Sequence, residues 1–152
     1  MPFSTTQIFV CIYTMQPIPL QKTSDLQIPF YDSLLSAGFP SPADDFMENK
    51  IDLNDKLISH PNSTFLVRVE GQSMINAGIS TGDVVIVDKS LEAKDGQIVV
   101  AVLEGDFTLK RLHIKEKEMS LRPENPNYPE IKITEDTNFE IWGVVTWIIK
   151  KT

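Results

Sequence analysis

The chain has 152 residues, of which 41% are hydrophobic and 23% charged, with a formal net charge of -7 and a pI near 4.8. This length and composition are typical of one compact domain with its own core. The net negative charge and the lack of a cluster of basic residues argue against a protein that binds nucleic acid directly, because phosphate binding needs clustered lysine and arginine.

The N-terminal region contains an apolar run, residues 7–13, that includes the only cysteine, Cys11. No lysine or arginine precedes this run, and it is far shorter than the roughly 20 residues of a membrane-spanning helix, so we interpret it as neither signal sequence nor anchor. A single cysteine excludes an intrachain disulfide and a thiolate cluster, which fits a reducing cytoplasm, and no metal or cofactor is expected. One hypothesis is that translation starts at Met15, which would make residues 1–14 a start-site extension.

The next region, residues 15–61, contains six prolines that interrupt every candidate helix or strand. This pattern predicts an extended, proline-rich N-terminal arm. One short helix is expected over residues 41–45, because Ser41 is a good N-cap and Pro42 suits the first helical position. A second helical turn is expected around residues 53–59.

After residue 61 the sequence changes to β-branched runs punctuated by glycine, which predicts strands. The residues of Glu104-Gly105-Asp106 are typical of a short hairpin connection, and residues 123–129 of a loop. The fold class is therefore mostly β, with the arm in front. In chain order, the predicted strands cover residues 65–70, 84–87, 98–103, 107–114, 119–121, 131–133 and 141–149.

Ser73 and Lys110 are the candidate reactive pair. A serine hydroxyl is a poor nucleophile unless a base takes its proton, and lysine is such a base only when its pKa falls far enough for it to be neutral, as burial would cause. In the predicted strand 107–114, Lys110 shares one face with Thr108 and Leu112, which gives it an apolar neighbour. The other interpretation is a solvated lysine on an edge strand.

Other hydrolytic arrangements fit less well. The nucleophile-elbow pattern Gly-x-Ser-x-Gly fails, because Ile75 stands two residues after Ser73. His60 lies in a polar loop and His113 at a strand end, and neither is expected to have an orienting acid, so both are predicted to be structural. Lysine is therefore the better candidate base.

Two segments carry a family resemblance. Gly71-Gln72-Ser73-Met74 matches a nucleophile motif, and Phe107-Thr108-Leu109-Lys110-Arg111 matches a lysine strand 37 residues later. Residues 34–152 thereby resemble the S24 family of Ser-Lys self-cleaving proteins, which includes LexA-type repressors, and within it the UmuD-like branch. The resemblance implies a LexA-like curved β-sheet peptidase domain. Segments similar to the UmuD-like branch in particular are Leu35 to Asp44, Ile51 to Asn54, Ser73 to Ile75, Gly78 to Ser80 and Gly82-Asp83.

Ala37 and Gly38 align with the bond that this family cuts in its own chain. Taken alone, an Ala-Gly pair would indicate only a loop without a functional role. Small residues suit a strand that must lie close to the nucleophile, and glycine lets the backbone approach. Many UmuD-like chains have cysteine at position 37; alanine, the repressor-like choice, is expected to keep the chemistry, with its effect on the rate left open. The implied domains are an arm, residues 1–37, removed by self-cleavage, and an S24 peptidase-like domain, residues 38–152.

The mechanism implied by the resemblance is acyl transfer within one chain or between two. Neutral Lys110 takes the proton of Ser73, whose Oγ attacks the Ala37 carbonyl. The backbone N–H groups of Gln72 and Ser73 are the expected donors to the oxyanion, and water then releases the acyl enzyme.

Only 36 residues precede Ala37, and prolines interrupt their candidate helices. This segment is therefore not expected to form the helix-turn-helix of a repressor. The resemblance implies instead an SOS-response protein whose self-cleavage is promoted by a RecA filament on single-stranded DNA. The shortened homodimer would then join a UmuC-like Y-family polymerase subunit in translesion synthesis, so contact with DNA would be indirect. Trp142 and Trp147 are candidates for the dimer face or for packing within the core.

Three alternatives stay open. A signal peptidase shares the Ser-Met motif and lysine base but needs a membrane anchor that this sequence lacks. An uncleaved binding module would keep Ser73 and Lys110 as relics. An antagonist or binding partner of related LexA-like repressors would form mixed dimers without any role for a polymerase.

Overall fold

The computed structural model of the protein describes residues 26–31, 38 and 48–152. The predicted helix over residues 41–45, the hypothetical extension over residues 1–14 and Ala37 all lie outside the described residues. The described residues divide into two compact units, one that ends at Pro61 and one that runs from Asn62 to Thr152. Each unit is described by itself.

The N-terminal unit contains a two-stranded antiparallel sheet and a short helix. Strand β1, Gln27–Tyr31, pairs with β2, Glu48–Asp52, and helix α1, Leu53–Leu57, follows β2 directly. The side chain of Asp52 caps α1 by accepting a hydrogen bond of 2.8 Å from the N–H of Asn54. The helical turn predicted here is confirmed, whereas the proline pattern does not predict the two strands. No helix in the described part of the chain is long and apolar enough to cross a membrane.

The second unit is built on a seven-stranded antiparallel sheet. Its spatial order is β3-β4-β9-β5-β6-β7-β8, so the last strand in sequence lies inside the sheet, between β4 and β5. Every strand predicted after residue 61 is confirmed, and so is the mostly β fold class. The strands are β3 Thr64–Arg68, β4 Val84–Asp88, β5 Ile98–Leu103, β6 Asp106–Lys115, β7 Glu118–Arg122, β8 Ile131–Ile133 and β9 Phe139–Ile149.

The pairing of β9 is interrupted on both sides. Its register shifts against β4 between Ile86 and Val87, and against β5 between Val100 and Ala101. Such bulges bend a strand and increase its local twist. The sheet is therefore expected to bend on both sides of β9.

The β5–β6 hairpin has a two-residue turn made by Glu104 and Gly105. Their φ angles are 49° and 87°, and Leu103 pairs with Asp106 across the turn. Two consecutive positive φ angles are typical of the type I′ turn, whose twist matches that of the flanking strands. The turn sets the register of β6, which carries Lys110.

Apolar side chains are buried on both faces of the sheet. On β5, Val100 belongs to one buried cluster, whereas its neighbours Val99 and Ala101 belong to another. Alternation along a strand sends successive side chains to opposite faces. The first cluster also contains Met74, Ile79, Val85 and Val87, and the second also contains Leu112, Leu121 and Val144.

The two tryptophans of β9 have different environments. Trp142 packs within the unit against Phe65 and Phe107, with ring centroids 5.2 and 5.9 Å away. Trp147 is 42% exposed. Packing within the unit therefore accounts for Trp142, while a place for Trp147 at a dimer face stays a prediction.

Candidate active site

Ser73 lies in the connection between β3 and β4. Residues before and after it in this connection have defined contacts that fix the backbone. Before it, Gly71 has a φ of 101°, which favours glycine, and its N–H donates a hydrogen bond of 2.9 Å to Thr81 Oγ1. After it, Met74 is only 2% exposed and packs in the first core cluster. Ser73 itself is half-buried. The local sequence thus fixes the backbone while leaving the serine side chain accessible.

Lys110 lies on β6 and is only 8% exposed. Strand β6 is flanked by β5 and β7, and Val99 stands opposite Lys110 on β5. The interpretation of Lys110 as a solvated lysine on an edge strand is therefore wrong. Burial disfavours the charged ammonium and lowers the pKa of Lys110 below its ordinary value. More of this lysine is neutral at a given pH than of a solvated one.

The structure brings Ser73 and Lys110 together. Lys110 Nζ lies 3.1 Å from Ser73 Oγ, 2.9 Å from Thr108 Oγ1 and 3.0 Å from the carbonyl oxygen of Leu109. A neutral amine has two N–H donors and one lone pair. A carbonyl oxygen only accepts hydrogen bonds, so one N–H of the amine donates to Leu109. The second N–H can donate to Thr108, which leaves the lone pair to accept from the Ser73 hydroxyl. The geometry therefore suits proton transfer from Ser73 to Lys110.

A groove of about 210 Å³ contains the pair. Its volume is below the roughly 300–1,000 Å³ of small-molecule pockets, so it suits a short stretch of chain better than an enclosed ligand. Besides Ser73 and Lys110, its lining includes Glu70, Gln72, Phe107, Leu109 and Tyr128.

The peptide between Gln72 and Ser73 forms part of the same site. The carbonyl oxygen of Gln72 accepts hydrogen bonds from Asn125 Nδ2 at 2.8 Å and from the N–H of Ile75 at 3.3 Å. Among the described residues, the N–H groups of Gln72 and Ser73 have no acceptor. Both N–H groups are thus available to a ligand.

Two residues of this site, Thr108 and Asn125, were not predicted from the sequence. Thr108 had a detectable signal, because it lies two residues before Lys110 on the same face of one strand. Asn125 had none, since it lies in a loop 53 residues after Gln72. Only the folded chain brings it to the nucleophile.

His113 does have an acidic neighbour, so the expectation that it lacks one is wrong. Its Nδ1 lies 3.2 Å from Asp95 Oδ1. Ser120 stands opposite His113 on β7, but the Ser120 hydroxyl donates a hydrogen bond of 2.5 Å to Glu130. The serine therefore faces a carboxylate, and these residues do not form a Ser-His-Asp arrangement. Only Ser73 and Lys110 have the direct nucleophile–base contact among the candidates of the sequence analysis.

Of the predicted cut site, the structure describes one residue. Gly38 is an exposed bend residue of the N-terminal unit, and among the described residues no atom beyond its chain neighbours lies within 4 Å of the Cβ that an alanine would add there. Ala37 lies outside the described residues. The cleaved bond and the boundary between residues 37 and 38 therefore stay predictions.

An antiparallel β unit with an accessible serine that contacts a buried lysine has the construction of a serine peptidase. The chain matches the family model described as Peptidase S24-like over residues 29–146, and it belongs to this family of self-cleaving serine peptidases.

Curated relatives agree with the family model. The chain is 44% identical over 120 residues to protein MucA of Salmonella typhimurium, covering 78% of this chain and 82% of MucA. It is 42% identical over 134 residues to protein SamA of Salmonella typhimurium strain LT2, covering 88% and 90%. MucA and SamA are UmuD-like SOS mutagenesis proteins, so the predicted resemblance to the UmuD-like branch is confirmed. A LexA repressor of Acidovorax is 36% identical over 135 residues, or 89% of this chain and 59% of the repressor.

Proposed function

We propose that this protein cuts its own Ala37-Gly38 bond, with Ser73 as nucleophile and Lys110 as general base. The observation that carries the proposal is the 3.1 Å contact between Lys110 Nζ and Ser73 Oγ. It is supported by the burial of Lys110, which lowers its pKa and increases the fraction of neutral amine. A serine activated by a directly bonded base is the arrangement that nucleophilic catalysis requires.

The reaction proceeds in two steps. Neutral Lys110 takes the proton of Ser73 as Oγ bonds to the carbonyl carbon of Ala37, and the N–H groups of Gln72 and Ser73 stabilise the oxyanion. The Lys110 ammonium then gives this proton to the leaving amine of Gly38 as the peptide bond breaks. In the second step Lys110 takes a proton from water, whose oxygen attacks the ester. The ester bond breaks, the proton returns to Ser73 Oγ, and the arm leaves with a new C-terminal carboxylate.

The product retains residues 38–152, a chain of 115 residues. By analogy with the UmuD-like branch, this shortened chain acts as a cytoplasmic homodimer with a UmuC-like Y-family polymerase subunit, after cleavage stimulated by a RecA filament on single-stranded DNA. The similarity to the SOS mutagenesis proteins MucA and SamA supports this role. The net charge of -7 agrees with an indirect contact with DNA.

Autoproteolysis is tested with the purified full-length protein. Incubation at alkaline pH should yield the 115-residue product with Gly38 at its N-terminus, identified by mass spectrometry. Ser73→Ala and Lys110→Ala should stay intact while remaining folded. Ser80→Ala, in the same β3–β4 connection, and Lys132→Ala, an exposed lysine on β8, are the matched controls and should cleave normally. A cut at Ala37 in either dyad variant would refute the assignment.

A second function is antagonism of related LexA-like repressors through mixed dimers. The observation that favours it is the 36% identity to a LexA repressor over 89% of this chain. Co-purification from DNA-damaged cells, with mass spectrometry of the partners and of the N-terminus, separates the two roles. A bound polymerase subunit supports the translesion role, whereas a bound repressor without a polymerase supports antagonism.

A further inference from the structure

The peptide that joins Gln72 to Ser73 is held from a distant part of the chain. Asn125 Nδ2 donates a hydrogen bond of 2.8 Å to the carbonyl oxygen of Gln72, across a sequence separation of 53 residues. The same oxygen accepts from the N–H of Ile75 at 3.3 Å, which closes a turn around the nucleophile. One local and one distant donor thus fix the direction of this carbonyl.

The direction of that carbonyl also decides where the N–H of Ser73 points. The two groups belong to one planar peptide unit, and in a trans peptide they point in opposite directions. A donor that holds the Gln72 oxygen on one side therefore turns the Ser73 N–H to the other side. Hydrogen bonding to the carbonyl also polarises the peptide, which makes the N–H a stronger donor.

Asn125 is itself held firmly enough to orient a partner. Its Oδ1 accepts a hydrogen bond of 3.0 Å from the N–H of Asn127, which leaves its amide nitrogen to face Gln72. The loop is fastened at the preceding residue, because the N–H of Asn76 donates to the carbonyl oxygen of Glu124 at 2.9 Å and the Arg111 guanidinium pairs with the Glu124 carboxylate. The donor is therefore in place before a substrate arrives.

We propose that Asn125 is a positioning residue for self-cleavage, which aims the N–H of Ser73 at the oxyanion formed on the Ala37 carbonyl. This inference rests on the proposed function. A donor that is already aimed at the developing charge needs no reorientation during the reaction, and this is the main advantage of an oxyanion hole. Asn125 touches neither reacting atom and acts only through the Gln72-Ser73 peptide.

The test uses two variants of the full-length chain at position 125. Asn125→Asp keeps an oxygen for the N–H of Asn127 but, when ionised, has no proton to donate to Gln72. Asn125→Ala removes both contacts without adding charge. Each should lower the limiting rate of self-cleavage at alkaline pH on the order of 10- to 100-fold, less than the roughly 10²–10³-fold cost of deleting an oxyanion donor.

The pH profile separates this role from a general loss of structure. In Asn125→Ala the midpoint of the rate profile should stay where it is in the natural protein, because the contacts of Lys110 are untouched, and only the plateau should fall. Asn127→Ala is the matched control, since it changes the same loop but keeps the backbone N–H that bonds Asn125. It should cleave at the natural rate. Circular dichroism at the assay temperature shows which variants are folded. If Asn125→Ala does not fold, the test of the inference relies on the near-isosteric Asn125→Asp alone.

The amide resonance of Ser73 in ¹H–¹⁵N NMR spectra at neutral pH gives a readout that is independent of cleavage. It should shift in Asn125→Asp and stay in place in Asn127→Ala. The inference is overturned if the folded position-125 variants cleave within twofold of the natural rate, if only the midpoint moves, or if the Ser73 resonance is unchanged. A natural protein that stays intact at every pH overturns the proposed function instead, and the resonance still decides whether Asn125 orients this peptide.

Discussion

Thr108 and Lys110 lie two residues apart on β6, and the Thr108 hydroxyl oxygen accepts a hydrogen bond of 2.9 Å from Lys110 Nζ. Residues at this spacing project to the same face of a strand, so the pairing follows from the β geometry alone. The bond occupies one donor of the amine and thereby aims its lone pair at Ser73. In the proposed self-cleavage, Thr108 would therefore direct the lone pair of Lys110 without touching the substrate.

Replacing Thr108 by valine should slow self-cleavage roughly 2- to 13-fold, the rate equivalent of the about 0.5–1.5 kcal/mol of one hydrogen bond. An acceptor stabilises the ammonium, so its loss should also lower the pKa of Lys110 and move the midpoint of the rate profile to lower pH. Thr108→Ser keeps the hydroxyl and should restore both. Cleavage rates measured across pH for the three proteins check this, and an unshifted midpoint in Thr108→Val would contradict it.

The rate of self-cleavage should rise with pH as Lys110 loses its proton. Because burial lowers the pKa of Lys110, the rate should level off below about pH 10.4, the ordinary pKa of a lysine side chain. Gel densitometry or mass spectrometry of single-turnover cleavage between pH 6 and 11 gives the profile. A rate that is flat from pH 6 to pH 10 would exclude lysine as the base.

Lys110→Met should raise the free energy of unfolding at neutral pH, because burial disfavours the ammonium form of Lys110, which the unfolded chain keeps at that pH, and thereby destabilises the natural fold. Between the lowered folded-state pKa and about 10.4, the unfolded chain binds more protons than the folded one, so the natural stability rises with pH. The difference in the free energy of unfolding between Lys110→Met and the natural protein should therefore shrink as pH increases. Urea denaturation of both proteins in a Ser73→Ala background, which prevents cleavage, measures the difference.

Lys132→Met is the control for that comparison, since it removes one positive charge from an exposed position of β8. The difference in the free energy of unfolding between Lys132→Met and the natural protein should not shrink in the same way between neutral and alkaline pH. An advantage of Lys110→Met that stays constant up to pH 11 would mean that burial of the charge does not destabilise the fold.

Gly143→Ala should destabilise the fold by about 1–3 kcal/mol, the usual cost of overpacking a core. Gly143 is buried on the interior strand β9, and a Cβ added there would lie 2.6 Å from Val87 Cγ1 and 3.2 Å from the carbonyl oxygen of Asp88. Val87→Ala removes the closest of these atoms. The double variant should be less destabilised than the sum of the single variants, as measured by urea denaturation in the Ser73→Ala background. Strict additivity would show that the clash with Val87 is not the cause.

The strands of the large sheet could be predicted from the sequence because their β-branched runs are separated by strong turn signals. The Glu104-Gly105 turn is one example, because Gly105 favours the positive φ angle that it adopts, although Glu104 is an uncommon residue at a positive φ. The pairing of β1 with β2 could not be predicted in the same way. Pro29 lies inside β1, and proline is compatible with a strand only where its missing N–H is not required, as in a ribbon with two edges.

The contact between Ser73 and Lys110 could be predicted from the sequence motifs, but the surroundings of the two residues could not. Asn125 bonds Gln72 from a loop 53 residues away, and Asp95 approaches His113 from outside β6. Both contacts depend on the tertiary placement of loops, which strand periodicity does not record. Periodicity gives the face of a strand on which a side chain lies, as it does for Lys110, but not the partner that reaches it from another part of the chain.

The position of β9 between β4 and β5 has a consequence for the order of events during synthesis of the protein. In the sheet, strands β3 and β4, which flank the Ser73 connection, are paired with strands β5 to β8, which include Lys110, only through β9. Since β9 is made after the strands on both sides of it, a ribosome-bound chain that has not yet released residues 139–149 lacks the strand that joins these two parts of the sheet. Long-range strand pairing is slow to form. If Ser73 and Lys110 act as proposed, self-cleavage is therefore expected only after β9 has been translated, and unfinished chains are expected to keep their arms.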